Sequence, residues 1–262
     1  RHDIHQHPEL GNQEQRTAAL IAEHLRSLGM EVETGVGTTG VVGLLKGGKP
    51  GPVVALRADM DALPVLEATG LPFASEVRQQ YLGEERPVMH ACGHDGHTTM
   101  LLGAAQYLAE TRNFDGTVYF IFQPAEEGGA GAAKMIDEGL FVDHQMETVW
   151  GMHNWPGLPA GEIAVSEGAS MASADHFEMT VTGSGGHAAM PHQAIDPVLA
   201  AANIVQALQM LVSRHTNPQD SSVLSITTIH GGSAFNVIPD EVTLGGTVRA
   251  FRSETRRRLE QS

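Results

Sequence analysis

The alternation of strand-like runs with amphipathic helical stretches over residues 13–152 restricts this chain most. Gln13–Leu28 puts Ala18, Ile21, Ala22, Leu25 and Leu28 on one helical face, and Gly29 ends it. Three strand-like runs follow, Glu31–Val36, Gly40–Leu45 and Val53–Arg57, with Lys46–Pro52 (KGGKPGP) a turn between the last two. His97–Glu110 reads as a helix with Leu101, Ala104, Ala105 and Leu108 inward. Gly116–Gln123 (GTVYFIFQ) reads as a strand, Gly129–Asp137 as a short helix and Thr148–Met152 as a buried strand. Strands alternating with helices imply an α/β domain with a mostly parallel sheet and helices on both faces.

The texture changes near Gly157–Gly161 (GLPAG). Beyond it, His176–Thr182 reads as a strand, Asp196–Val212 as a long helix, and Val223–Ile229 and Glu241–Phe251 as strands. This β-α-β-β pattern suits a smaller α+β, ferredoxin-like domain with one open-faced sheet, whose edge could pair with a second copy. The expected division is 1–165 and 166–262. Arg252–Ser262 begins a charged helix and stops without a cap.

Charge narrows the function. Sixteen Lys and Arg stand against 31 Asp and Glu, a formal net charge of -15. Such a surface repels phosphate backbones and anionic lipids, so neither a nucleic-acid nor a membrane partner is expected. No apolar run approaches the ~20 residues of a membrane span. With no signal peptide at its start and a single cysteine, Cys92, the chain reads as cytoplasmic, not as a disulfide-stapled secreted domain. The glycine-rich stretches do not fit a phosphate loop, since GxxxxGK[ST] is absent.

The 14 histidines cluster at His2–His7, His90–His97 and His187–His192. In Met89–His97 (MHACGHDGH), Cys92 and His94 lie two residues apart, between a strand-like stretch and a helix. A thiolate and an imidazole there can ligate a zinc-like ion at the carboxyl edge of the sheet. Asp59 and Asp61 (RADMDALP) can ligate a cation, orient a ligating histidine, or simply make turn hydrogen bonds. Glu126 and Glu127 (QPAEEGG) can divide labour, one holding metal and the other handling a water proton, or form a solvated pair. His153 (WGMHNW) is alone a packed histidine and in this company a ligand. Asp61, Cys92, Glu126 and His153 each follow a strand-like run, so their positions converge on one sheet edge. His187 sits in TGSGGHAAMPH, where Gly183, Gly185 and Gly186 allow close backbone approach to a ligand. Asn236 and Arg249 could contact a substrate carboxylate or carbonyl, or be ordinary turn and surface residues.

Together these residues resemble the M20 metallopeptidase family, in particular its amidohydrolase branch of hippurate hydrolases, auxin-conjugate hydrolases and N-acetyl-diaminopimelate deacetylases. The markers run in order: HQHPELG (His5–Gly11), LRADMDALP (Leu56–Pro64), MHACGHDGH, QPAEEGGAGA (Gln123–Ala132), GMHNWP (Gly151–Pro156), GSGGHAAMPH (Gly183–His192) and FNVIPD (Phe235–Asp240). The resemblance implies a dinuclear site for two divalent metals (Zn, Mn, Co or Ni) held by Cys92, His94, Glu127 and His153. It makes Glu126 the general base, Asp61 a supporting carboxylate, and the smaller domain a lid and homodimer interface. From there His187 would stabilise the oxyanion in the partner subunit, with Asn236 beside the substrate. The implied reaction is hydrolysis of N-acyl amino acids. An aminopeptidase or dipeptidase activity, or a non-catalytic metal- or amino-acid-binding module, are the alternatives. The family supplies a last histidine ligand after returning to the catalytic domain. This chain stops at Ser262 and opens at Arg1, so truncation at both ends and one under-coordinated metal are expected.

Overall fold

The computed structural model describes residues 1–262. They divide into two compact units, Arg1–Gly157 and Leu158–Ser262. The first opens with α1 (His2–Gln6) and α2 (Gln15–Ser27), then β1 (Glu31–Val36), β2 (Gly40–Lys46) and β3 (Val53–Asp59). A small hairpin of β4 (Arg78–Tyr81) and β5 (Glu84–Pro87) precedes α3 (His94–Thr111) and β6 (Thr117–Gln123). The helices α4 (Gly131–Asp137) and α5 (Leu140–Asp143) lead to β7 (Thr148–Gly151).

The α/β class is as expected, with the sheet ordered β1-β2-β6-β3-β7. It is mixed rather than mostly parallel. The tight turn after Val36 folds β1 and β2 into a hairpin, and β2 runs against β6. Only β6, β3 and β7 are parallel to one another. A short turn can join only antiparallel neighbours, whereas a helical crossover such as α3 returns the chain for a parallel pairing. Helices cover both faces: Ile21, Leu25, Leu101 and Ala105 pack on Val41, Phe120 and Phe122, while Met135 and Leu140 pack opposite on Val42, Tyr119 and Ile121. Phe120 and Phe122 are fully buried, each contributing about 1.5–3 kcal/mol of burial.

Two expectations need correction. β7 is shorter than expected and not buried; all four residues are exposed, Trp150 at 64%. It is an edge strand with β3 as its sole neighbour in the sheet, so apolar sequence alone did not reveal its place. α3 begins at His94, three residues earlier than the apolar periodicity starts. Gly93, at φ 91°, turns the chain directly into the helix, so His94 and Asp95 occupy its first turn.

In the second unit β8 (Ser173–Thr182), β9 (Gly186–His187), α6 (Pro197–Ser213), β10 (Ser222–His230), β11 (Val237–Ile238), β12 (Glu241–Ala250) and α7 (Ser253–Gln261) follow in order. Its main sheet is antiparallel, β10-β12-β8. Asp196 caps α6, accepting the Val198 and Leu199 N–H groups, with Pro197 as the first helical residue. Ala201, Ile204 and Val205 of α6 lie on Met179, Val181, Val242 and Leu244. No helix of the chain is long and apolar enough to cross a membrane.

Candidate metal centre

Parallel pairing explains why distant residues meet. Asp59 lies opposite Gln123 and Arg57 opposite Gly151, so β3, β6 and β7 all end at one edge. The segments that continue from those ends carry Asp61, Glu126–Glu127 and His153. Met89 exchanges backbone hydrogen bonds with Leu63, laying the Met89–His97 segment along the same edge.

His94 is the hub. It is fully buried, and its Nδ1 lies 2.8 Å from the Asp61 carbonyl oxygen, which can only accept. Nδ1 therefore carries a proton, so Nε2 is the atom that presents a lone pair whenever the ring is neutral. That atom is buried without any hydrogen-bond partner. Facing it are Asp59 Oδ2 at 3.8 Å, Glu127 Oε1 at 3.9 Å and Glu126 Oε2 at 4.0 Å. These separations are too long for hydrogen bonds but match the roughly 3–4 Å between atoms that share one ion at bond lengths near 2.1 Å. Cys92 Sγ lies 3.4 Å from His153 Nε2, and His153 Nδ1 is tied to the Asn154 carbonyl at 2.6 Å. By the same logic Nε2 is the lone-pair nitrogen of a neutral His153 ring, and it faces the thiol. Three donor groups thus share His94: Cys92–His94–His153, His94–Glu126–Glu127 and Asp59–His94–His97.

The electrostatics point the same way. Burial, then the charges of Glu127 and Glu126, push the Cys92 thiol up to about 12. Burial and the neighbouring Glu126 raise the Glu127 carboxyl. Burial would lower His94, but the hydrogen bond to Asp61 and the charge of Asp59 raise it. In each case crowded negative charge retains protons, a load that a divalent cation relieves by replacing them. The donor set fits divalent metal.

Asp61 sits beneath this centre. Its carbonyl and Oδ1 contact His94, and its Oδ2 accepts the Glu127 N–H at 2.9 Å. Sequence reading assigned no role to His97 or Asn154. His97 is buried; its Nδ1 lies 2.6 Å from Asp59 Oδ1, and its Nε2 accepts the Asn154 N–H at 3.0 Å. It thereby ties the segment bearing His153 to the end of β3. Burial opposes ionisation of Asp59, but the His97 hydrogen bond and the charges of His94 and Arg57 hold its carboxyl at about 2. The signal available was the third histidine of MHACGHDGH, three residues after His94.

Gly93 is needed where these segments touch. Its φ is 91°, and an added Cβ would stand 2.5 Å from Asn154 Oδ1. Gly93→Ala is expected to lower stability by about 1–2 kcal/mol through backbone strain and to weaken metal retention. A thermal melt and metal analysis of the variant check both effects.

The remaining candidates lie in the second unit. His187 pairs with Val237, and Ala188 donates its N–H to the Asn236 carbonyl, so Asn236, in the turn that leads into β11, lies beside the segment that carries His187. His187 Nδ1 accepts the Ala189 N–H at 3.1 Å, which leaves the ring proton on Nε2 as a donor. Arg249 turns back on its own strand, bonding Thr247 Oγ1 and the Val248 carbonyl. Gly183 and Gly185 serve close chain packing: a Cβ would stand 2.2 Å from the Ile195 oxygen or 2.6 Å from that of Ile238.

Comparison with known proteins agrees with this geometry. The chain is 48% identical over its whole length to a hippurate hydrolase of Campylobacter jejuni, of which it covers 66%. It is 44% identical, again over its whole length, to an N-acetyl-L-cysteine deacetylase of Bacillus subtilis, covering 61% of it. It thus spans about two thirds or less of the length of these relatives. The crystal structure of a Bacillus subtilis dinuclear metal-binding peptidase of the M20 family superposes with a TM-score of 0.77 at 42% identity, over 98% of this chain and 64% of that one. Residues 55–253 match the profile described as Peptidase family M20/M25/M40, and the chain belongs to that family.

Proposed function

We propose that the protein hydrolyses the amide bond of N-acyl amino acids, hippurate-like substrates among them, releasing a carboxylic acid and a free amino acid. The observation that carries this is Glu126 beside Glu127, both facing the unpartnered Nε2 of His94. The two relatives named above support the substrate class, since both names denote removal of an acyl group from an amino acid.

Cys92, His94, Glu127 and His153 would hold two divalent ions, with Zn, Mn, Co and Ni the candidates. Bound there, the ions supply Lewis acidity and lower the pKa of water toward neutrality. Glu126 is the more exposed of the pair, 41% against 25% for Glu127, which suits the residue that meets water and substrate. Its carboxylate takes a proton from the attacking water as the water oxygen bonds to the acyl carbon. It returns that proton to the nitrogen as the C–N bond breaks. Asp61 keeps His94 in the tautomer that bares Nε2. His187, with its Nε2 proton free to donate, is the proposed oxyanion stabiliser, and Asn236 and Arg249 the proposed substrate contacts. The first unit would be catalytic. The second would serve as lid and homodimer interface, with β8 and β10 as its free sheet edges. A single cysteine suits the reducing cytoplasm.

The test is a substrate panel with added Mn(II), Zn(II) or Co(II) on the full-length protein. Hippurate and other N-acyl amino acids should be hydrolysed well ahead of dipeptides with free amino termini. Preference for dipeptides would point to an aminopeptidase, and metal binding without turnover to a non-catalytic module.

A further inference from the structure

Glu14 is a carboxylic acid in the core of the first unit. It is 0% exposed and forms no ion pair, and the largest influences on it are burial, its own hydrogen bonds and the like charge of Asp61. Burying such a group without a counter-charge is costly, and an apolar side chain would fill the same space without that cost. Glu14 stands at the N-cap position of α2, yet its side chain makes no capping bond. It reaches the end of β6 instead. One oxygen accepts the Thr39 hydroxyl at 2.6 Å, and the other accepts the backbone N–H of Ala125 at 2.8 Å.

Ala125 is an unusual residue to hold. It directly precedes Glu126 and has φ 48°, in the left-handed region that costs an L-residue about 1–2 kcal/mol. It is fully buried, and its carbonyl accepts the Gly131 N–H at 3.2 Å. Gly11 lies so close that an added Cβ would stand 3.0 Å from the Ala125 Cα. On the other side of Glu126, the Glu127 N–H is held by Asp61. The backbone around Glu126 is therefore clamped by one buried carboxyl on each side.

We infer that Glu14 is a positioning residue: through the Ala125 N–H it fixes the strained turn that aims Glu126 at the scissile amide. This rests on Glu126 being the general base. Small displacements of a catalytic group can cost up to about a hundredfold in rate, so the clamp should show in kcat.

The experiment compares Glu14→Leu, Glu14→Asp and Glu14→Gln in the full-length, metal-loaded enzyme, reading kcat, KM, metal content and melting temperature. Leu fills the space without an acceptor, and Asp withdraws the carboxyl by one methylene. Both are expected to lower kcat by about tenfold to a hundredfold with KM and metal content unchanged. Asp also serves if the Leu variant does not fold. Gln offers its amide oxygen to Ala125 and its NH2 to Thr39, and should retain most of the turnover. Wild-type kcat in the Asp or Leu variant, or a Gln variant as impaired as Leu, overturns the inference. Glu126→Gln run alongside separates the two ideas. If it remains active, the base assignment and this inference both fall. If it is inactive while Glu14→Leu is fully active, only the role of Glu14 falls.

Discussion

Glu126→Gln is expected to keep the metal content of the full-length protein and to lose about 10²–10⁴ of its kcat, the usual contribution of a positioned general base. That loss corresponds to about 3–5 kcal/mol of barrier. Gln has the size and hydrogen-bonding reach of Glu but cannot take a proton. Metal should remain because Cys92, His94, Glu127 and His153, the proposed ligands, are untouched. Glu126 sits at the rim, with its Oε2 4.0 Å from His94 Nε2, close enough to serve the same centre and exposed enough to meet solvent. Elemental analysis and hippurate hydrolysis, measured on one preparation, decide the matter. A Glu126→Gln enzyme with wild-type turnover would remove Glu126 from the role and leave Glu127 as the candidate base.

His94→Ala should act on the metal itself. His94 belongs to all three donor groups at the sheet edge, and its Nε2 has no partner within the protein. Removing a group that merely orients a ligand typically costs 10–100-fold in metal affinity, and removing the shared ligand should cost at least about a hundredfold. Activity should fall with metal occupancy and stay low when excess metal is added. Full metal retention in His94→Ala would mean that the centre is built on the other donors. Folding should suffer less than at an ordinary core site, because the deletion also removes a buried polar atom that nothing in the protein satisfies.

Much of this centre is legible in the sequence. Asp61, Glu126 and His153 each follow a strand-like run, and ends of parallel strands share an edge, so their convergence could be read from spacing. Cys92 and His94 announced themselves by chemical type and density. The supporting residues were harder to see. His97 acts on Asn154 across 57 residues, and Glu14 acts on Ala125 across 111. Glu14 carries the look of a helix-start carboxylate, and only its contacts show that it faces inward. The exposed β7 was misread because an apolar strand has the same composition whether it is central or at an edge.

The sequence by itself determined the main helices and strands, the α/β class and the family. Those depend on short-range periodicity, turn residues and motif order, all of which are local properties of the chain. The tertiary structure alone decided that the sheet is mixed, that Nε2 of His94 is bare, and that two buried carboxyls clamp the turn bearing Glu126. Each of these depends on which strands pair and which groups lose water together, and such long-range choices leave no periodic trace along the chain.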